Sequence, residues 1–188
     1  MKGIETRYFH DRLEWRKWLE SNFDKQADIW LEYPNKASGK KRITYNDAVE
    51  EALCFNWIDS TVKSLNDQTT IQRFCHRRSK SSFSQPNIER LRWLLKEGLV
   101  HPTIVNQLEV IANKEFVFPQ DILDRLRSEE TVWKNYNDLS ASYRRIRIAY
   151  VESARKRPIE FEKRLDNFIA KTRANKLISG YGGIDKYY

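Results

Sequence analysis

An abrupt switch from helical to strand-like spacing of apolar residues constrains the fold of this chain more than any other feature. Thr44 and Asp47 form a capping signature, and the apolar residues after them recur at helical spacing, which predicts a helix over Tyr45–Phe55. Trp57–Leu65 then alternates with a period of two. A second β-favouring run over Thr69–Cys75 follows a short polar turn, so the sequence predicts an antiparallel hairpin directly after the helix.

The flanking segments predict more helices and one further strand. The strand covers Asp28–Tyr33, where apolar and polar residues alternate. Helices are expected over Phe9–Phe23, over Ile88–Glu97 with Asn87 as its cap, over Pro102–Asn113, and in three later segments that include Pro119, Tyr143 and Pro158. The predicted fold class is therefore α+β, with a short, mainly antiparallel sheet packed against helices and an all-helical C-terminal layer or subdomain.

This order of elements divides the chain into three parts. Residues 1–115 are expected to form the α+β core domain, residues 116–176 a helical C-terminal region, and residues 177–188 a flexible tail without periodicity. With 188 residues, of which 40% are hydrophobic, the chain has enough apolar side chains for a true core. We therefore expect one domain, or one domain with a helical appendage.

The sequence favours a cytoplasmic protein. No apolar run approaches the roughly 20 residues that a membrane-spanning helix requires. The first fifteen residues carry charges where a signal peptide has its apolar stretch. Cys54 and Cys75 are the two cysteines, and their spacing favours reduced thiols over a metal site or a redox motif.

The positive charge of the chain is unevenly distributed. The net charge is +8, and Leu139–Lys176 alone contains 11 Lys and Arg residues against 4 Asp and Glu residues. Such asymmetry is typical of proteins that bind polyanions, but it also arises when a solvated helix face keeps a protein soluble. The first interpretation predicts a secondary basic face that includes Arg144, Arg145 and Arg155.

The predicted hairpin supplies the core of a candidate site. Trp57 and Asp59 share one face of the first strand, and pairing with the second strand can bring Arg73 beside them. Asp59 and Arg73 are then expected to form a charge-assisted pair, with Trp57 as the floor of a polar pocket. The alternative is an ion pair that only fixes the hairpin and orders the next loop.

The loop after the hairpin is cationic and rich in serine. Its backbone N–H groups and hydroxyls precede a predicted helix, which is the geometry of many anion sites. The candidate anion-binding residues in this part of the chain are Arg77, Arg78, Ser82, Ser84 and Asn87. The alternative is a simple Ser/Asn cap of the helix. The loop lacks the order of a P-loop, so nucleotide hydrolysis is disfavoured.

Cofactor chemistry finds no support in the sequence. His10, His76 and His101 lie far apart and form no metal-ligand spacing with cysteines or carboxylates, so we expect no metal and no cofactor. Glu50 and Glu51 are adjacent and face different ways on the helix, which argues against an acid/base pair. No catalytic residue is predicted.

Several motifs together resemble the YdeI/OmpD-associated proteins, also called the bacteriocin-protection family. The most specific is the run Ala52-Leu-Cys-Phe-Asn-Trp-Ile-Asp59, and the others are Trp15-x-x-Trp-Leu19, Ile43-Thr-Tyr-Asn-Asp-Ala-Val49, Gln72-Arg-Phe74, Arg77-Arg78, Ser82-Phe-Ser84, Leu139-Ser-Ala-Ser-Tyr-Arg-Arg145 and Glu152-Ser-Ala-Arg155. The chain departs from the family pattern at Asn56, where glycine is usual, at Cys75-His76 and at Phe83. The resemblance implies a bacterial protein linked to tolerance of bacteriocins or cationic antimicrobial peptides, with no catalytic residues to transfer.

Three functional hypotheses follow. The first is a binding protein of the stress-tolerance type that recognises an anionic partner through the loop, with nucleic acid, an acidic protein or a phosphorylated small molecule as the partner. The second is an enzyme that acts on a phosphate- or carboxylate-bearing metabolite, with Asp59 as acid/base. The third is a structural interaction domain whose partner lies in the cell envelope.

Overall fold

The computed structural model describes residues 5–78, 81–180 and 187. Its four strands are β1 (Thr6–Arg7), β2 (Asp28–Pro34), β3 (Trp57–Asn66) and β4 (Thr69–His76), and the described helices are α1 (Arg12–Asn22), α2 (Tyr45–Cys54), α3 (Gln85–Lys96), α4 (Val105–Ala112), α5 (Gln120–Arg127), α6 (Glu130–Asp138), α7 (Ala141–Glu152) and α8 (Pro158–Arg173). A short 3₁₀ turn covers Lys36–Ser38. The predicted α+β class is confirmed.

The sheet is mixed and mostly antiparallel, with the strand order β1-β2-β4-β3. β1 runs parallel to β2, whereas β4 pairs antiparallel with both β2 and β3. The predicted hairpin is therefore formed by β3 and β4, with β4 as a central strand and β3 at the edge. The pairing of β3 with β4 is interrupted by register shifts between Asp59 and Val62 and between Ser64 and Asn66, a common feature of edge strands.

The switch from helix to strand occurs at one residue. Thr44 caps α2 through a hydrogen bond from the backbone N–H of Asp47 to its side-chain oxygen, as the sequence predicts. At the other end of α2, Asn56 adopts a φ of 56°, in the left-handed region that Gly and Asn tolerate best. This conformation turns the chain from the helix directly into β3.

By its internal contacts, the chain divides into two compact units. One comprises Met1–Phe83 and Leu91–Ala112, and the other comprises Ser84–Arg90 and Asn113–Tyr188. The predicted division at residues 115 and 116 stays a prediction. The predicted tail at 177–188 falls mostly on residues outside the described part of the chain.

The core of the first unit is rich in aromatic side chains. Trp15, Phe55, Trp57 and Phe74 are buried together with aliphatic residues of β2 and α2. The indole N–H of Trp15 donates to the carbonyl of Ala48 over 3.1 Å, so this polar atom is satisfied in the core. Burial of each such side chain contributes about 1.5–3 kcal/mol, and the core therefore holds the sheet against α1 and α2.

The second unit is built from helices in its described part. Its core consists of apolar residues from α5 to α8, among them Ile122, Val132, Tyr143, Leu165 and Phe168. Pro119 directly precedes α5 and Pro158 is the first residue of α8, in agreement with the predicted helix starts.

The start of α3 differs from the prediction. The helix begins at Gln85, and the backbone N–H of Ile88 already donates to the carbonyl of Ser84. Asn87 therefore lies inside the helix and does not cap it. Pro86 occupies the first turn, where its missing N–H costs nothing, and this explains the earlier start.

No helix in the described ranges is both long and apolar enough to cross a membrane.

Candidate functional site

Arg77 occupies the first position after β4, at the open end of the hairpin. Its backbone N–H donates to the carbonyl of Asn56 over 3.1 Å, which ties it to the turn between α2 and β3. Its side chain turns into the protein, and the residue is only 9% exposed. The guanidinium carbon lies 3.7 Å from the centre of the Phe83 ring, so the two planar groups are in direct contact.

One nitrogen of the Arg77 guanidinium is held by the serine-rich loop. Nη1 donates to Oγ of Ser81 over 3.3 Å and to the carbonyl of Ser82 over 3.1 Å. Nε and Nη2 are also buried, but neither has a hydrogen-bond acceptor among the residues that the structure describes. We call the pair of donors Nε–H and Nη2–H the Arg77 edge.

Burial and two titratable groups in the described part of the chain influence the pKa of Arg77. Burial lowers the pKa of Arg77, while the charges of Asp59 and Cys75 act in the opposite direction. The guanidinium still stays protonated at neutral pH, because the ordinary pKa of arginine is so high. The Arg77 edge is thus a charged donor pair in a poorly solvated place.

Asp59 is held in place from two elements. Its Oδ2 accepts hydrogen bonds from the Tyr45 hydroxyl and from Nε2 of Gln72, both over 2.9 Å. Tyr33 lies within electrostatic reach of Asp59; burial raises the pKa of this tyrosine, whose buried hydroxyl has no described partner. Asp59 therefore belongs to a polar cluster on the side of the sheet that faces the helices.

The expected pair of Asp59 and Arg73 is not formed. Nε of Arg73 donates to Oδ2 of Asp28 over 3.0 Å, and this hydrogen bond is the main cause of the raised pKa of Arg73. The cross-strand partner of Asp59 is Phe74, the neighbour of Arg73. Since successive side chains of a strand point to opposite faces, Arg73 lies on the other side of the sheet.

Trp57 is not the floor of a pocket. It is fully buried, and its indole N–H donates to the carbonyl of Phe23 over 3.1 Å. Its ring packs edge-on against Trp18. Trp57 is therefore a core residue, like Trp15, and its predicted contact with a ligand stays a prediction that this burial does not support.

The other residues predicted for the loop occupy different environments. Arg78 and Ser82 are exposed, and the carbonyl of Ser82 is the part that contacts Arg77. Ser84 and Asn87 fall in the second unit, where Oδ1 of Asn87 accepts a hydrogen bond of 2.8 Å from Arg90. The structure thus brings Arg77 and Ser82 together and leaves Arg78 pointing to solvent.

Two of the three arginines of the predicted basic face are neutralised by acids. Arg145 donates through Nε and Nη2 to both carboxylate oxygens of Glu89, over 2.6 and 2.7 Å. Arg155 binds Asp121 and Glu152. Arg144 lies over the ring of Tyr136 at 5.4 Å. The sequence count of charges therefore overstates the cationic character of this surface.

Two features of the first unit were not predicted from the sequence. One is the contact of Phe83 with Arg77, which brings together residues from the two ends of a loop. The other is a buried charge cluster in which Glu51, 3% exposed, accepts hydrogen bonds from Arg12 and Arg16 of α1. Glutamates inside an otherwise apolar helix face were the one available signal for this cluster.

In the described ranges, no three His, Cys, Asp or Glu side chains are placed to hold one metal ion.

Fold and site together define an α+β protein with a buried, partly unsatisfied arginine at the end of a β-hairpin. Residues 7–107, more than half of the chain, match the family model described as "Domain of unknown function (DUF8412)", and the chain belongs to this family. Residues 115–175 match the model described as "Bacteriocin-protection, YdeI or OmpD-Associated". No curated protein and no solved structure gives a significant match.

The second match is partial, and it supports the resemblance found from the motifs. The run Leu139-Ser-Ala-Ser-Tyr-Arg-Arg145 lies inside the matched range 115–175. The run Ala52-Leu-Cys-Phe-Asn-Trp-Ile-Asp59 lies instead in residues 7–107. The match to the YdeI/OmpD-associated model therefore covers the helical C-terminal part of the chain and not the run Ala52–Asp59.

Proposed function

We propose that this protein is a binding protein that recognises a carboxylate or phosphate group through the Arg77 edge. The observation that carries the proposal is the pair of buried donors, Nε–H and Nη2–H, that has no described acceptor. These two donors lie parallel along one edge of the planar guanidinium, which matches two oxygens of a carboxylate or phosphate. The ligand then supplies the hydrogen bonds that the chain itself does not.

The free-energy cost of leaving buried N–H groups without an acceptor supports this proposal. A buried N–H group without an acceptor costs about 1–3 kcal/mol, and more when the group is charged. Phe83 contacts the guanidinium and the loop binds Nη1, so the side chain is held in one orientation, while Nε and Nη2 have no acceptor among the described residues. Such a fixed guanidinium with two donors left over favours an anionic ligand over a purely structural role.

The distribution of charge favours a small ligand, or one acidic group of a larger partner, over nucleic acid bound across the helices. Arg145 and Arg155 already have acidic partners, and breaking these pairs would offset much of the gain from phosphate contacts. For Asp59 as a catalytic acid/base there is no specific support, because two neutral side chains hold its Oδ2.

We further propose that this binding serves a tolerance function in the bacterial cytoplasm. The support is the partial match to a family described as bacteriocin-protection and YdeI- or OmpD-associated. A binding protein can provide tolerance by sensing or sequestering a metabolite, without a catalytic step. Survival of a deletion strain under bacteriocin challenge, with and without Arg77→Lys complementation, tests this part.

Isothermal titration calorimetry with sodium phosphate, sodium acetate and a short oligonucleotide tests the binding proposal. Arg77→Lys keeps the charge but loses the two parallel donors, and Arg78→Lys is the matched control on the exposed neighbour. We expect Arg77→Lys to weaken binding of phosphate or acetate at least about tenfold, and Arg78→Lys to leave it unchanged. Equal affinities of all three proteins, or no binding to the wild type, would overturn the proposal.

A further inference from the structure

A cavity of about 220 Å³ lies between α7 and α8, within the helical unit. Each helix contributes three lining residues with the spacing i, i+3, i+4, which places the three side chains on one helix face. The residues are Arg147, Tyr150 and Val151 of α7, and Arg164, Asn167 and Phe168 of α8. The cavity is thus built by matching faces of two adjacent helices, and the segment after α8 completes its wall.

The cavity has an apolar inner wall and a polar mouth. Val151 and Phe168 are almost fully buried, whereas Asn167 and Ser179 are exposed. A ligand can therefore enter from solvent and bury an apolar part against the inner wall. Sites for drug-sized ligands typically have volumes of roughly 300–1,000 Å³, so this smaller cavity suits a small ligand.

Two arginines make the cavity electropositive. Both stay protonated at neutral pH, and none of the described residues that line the cavity is an Asp or a Glu. Arg164 has an acidic partner outside the lining, since its Nε donates to Oε1 of Glu160 over 2.7 Å. Arg147 is only 3% exposed, so water screens its charge weakly. An anion is therefore attracted into this cavity.

The chain already holds both guanidinium groups in place. Arg147 donates through Nη2 to the carbonyl of Ile178, and its guanidinium lies 5.1 Å from the centre of the Tyr143 ring. Arg164 lies over the ring of Tyr150 at 3.9 Å and donates through Nη1 to the carbonyl of the same residue over 2.9 Å. Because the two side chains are ordered beforehand, an anion that binds them loses little affinity to side-chain ordering.

We propose that this cavity binds a small phosphate monoester, with its phosphate group at Arg147 and Arg164 and its organic part against Val151 and Phe168. A phosphate ester carries nearly two negative charges at neutral pH, which suits two guanidinium groups better than the single charge of a carboxylate. The site belongs to the helical unit and does not rest on the proposed role of Arg77.

An NMR titration with ethyl phosphate, followed through the backbone amide signals of α7 and α8, tests this site separately from Arg77. We expect saturable shifts of the signals of the lining residues. Arg164→Lys keeps the charge but loses the planar fork, and it should weaken binding at least about tenfold. Arg173→Lys, which changes the other arginine of α8 outside the lining, is the matched control and should leave binding unchanged, as should Arg77→Lys.

Asn167→Asp is a second variant, which should not disturb the fold because the residue is exposed and the two side chains have nearly the same shape. The added carboxylate repels the phosphate group and should weaken binding at least about tenfold. Absence of shifts at α7 and α8 in the wild type, or an unchanged affinity of Asn167→Asp, would overturn the proposal and leave the proposal for Arg77 intact.

Two further ligands test the chemical class. Inorganic phosphate lacks the apolar part and should bind at least about threefold more weakly than ethyl phosphate. Acetate has a single charge and should give no saturable shifts at this cavity, so its binding in calorimetry still reports on Arg77. Equal affinities for the two phosphates would overturn the assignment of an organic ester, and acetate binding as tight as that of ethyl phosphate would overturn the assignment of a phosphate.

Discussion

At the scale of single residues, the arginines of this protein differ in how many of their N–H groups have a described hydrogen-bond acceptor. Arg145 has both carboxylate oxygens of a glutamate as partners, and Arg12 and Arg16 share Glu51. Arg77 is more buried than these three arginines, but among the described residues only its Nη1 has hydrogen-bond acceptors. A buried Nε without a described hydrogen-bond partner also occurs at Arg144, so what distinguishes Arg77 is that two adjacent donors of one guanidinium, Nε and Nη2, both lack a described acceptor.

The buried charge cluster on α1 and α2 should be important for stability. Glu51→Gln removes the charge that compensates Arg12 and Arg16, and we expect a loss of about 3 kcal/mol in the free energy of unfolding. Glu20→Gln is the control, because Glu20 forms an exposed pair with Arg16 and should change stability by less than about 0.5 kcal/mol. Urea denaturation measures both, and similar values for the two variants would contradict the structural role of Glu51.

Asp121 should contribute to the acid dependence of stability. The hydrogen bond from Arg155 lowers the pKa of Asp121 below its ordinary value of 3.8. A lowered pKa in the folded state means that the contribution is present above that ordinary value and is lost as the pH falls through the lowered one. Between about pH 5 and about pH 2, the melting temperature of Asp121→Asn should therefore decrease less than that of the wild type.

The effect at Asp121 will be small, because its side chain is more than half exposed and solvent screens the pair. A steeper acid dependence in Asp121→Asn than in the wild type would have the wrong sign and would contradict the assignment.

At the scale of elements, the turn at Asn56 connects α2 to β3 and positions Arg77. Asn56→Ala forces a β-carbon-bearing residue without a local polar group into the left-handed region, and should cost about 1 kcal/mol. Asn56→Gly should be neutral within a few tenths of a kcal/mol. Chemical denaturation compares the two, and equal stabilities would show that the turn does not require this conformation.

Local sequence signals were sufficient to predict most of the helices and strands. Signals that act within a few residues allow the start, end or type of an element to be predicted from the sequence. Such signals here are the Thr44 cap, the alternation in Asp28–Tyr33, the hairpin turn and Pro158. The start of α3 was missed because Asn87 offered a competing cap signal. The side-chain pairing of Arg73 was missed because a central strand has two neighbours, and the sequence does not show which one supplies the acid.

At the scale of the whole molecule, net charge is a poor guide to the surface. The chain carries +8, yet many arginines of the helical unit have acidic partners, including Arg125, Arg155, Arg164 and Arg173. Oligonucleotide affinity should therefore depend weakly on salt, with a slope equivalent to about two phosphates. A slope equivalent to more than about five phosphates would instead indicate an extended basic surface.

The candidate site could be predicted only in part. The cationic, serine-rich loop indicated Arg77 and Ser82 as members of one site; the two are in contact through the carbonyl of Ser82, while their binding of an anion stays a prediction. Neither the burial of Arg77 nor its contact with Phe83 follows from spacing, since both depend on how the loop folds back. Asn56 stood out in sequence as a departure from the family's usual glycine, but its orphaned Oδ1 is visible only in three dimensions.

The most direct test of the account is an NMR titration of the arginine Nε–H groups in isotope-labelled protein. Arg77→Lys assigns the Arg77 signal, which should exchange slowly with water because the group is buried. We predict that this signal moves downfield when acetate or phosphate is added, while the Arg78 signal stays fixed. An Arg77 signal that stays unchanged at saturating concentrations of both ligands would contradict the claim that the Arg77 edge binds an anion.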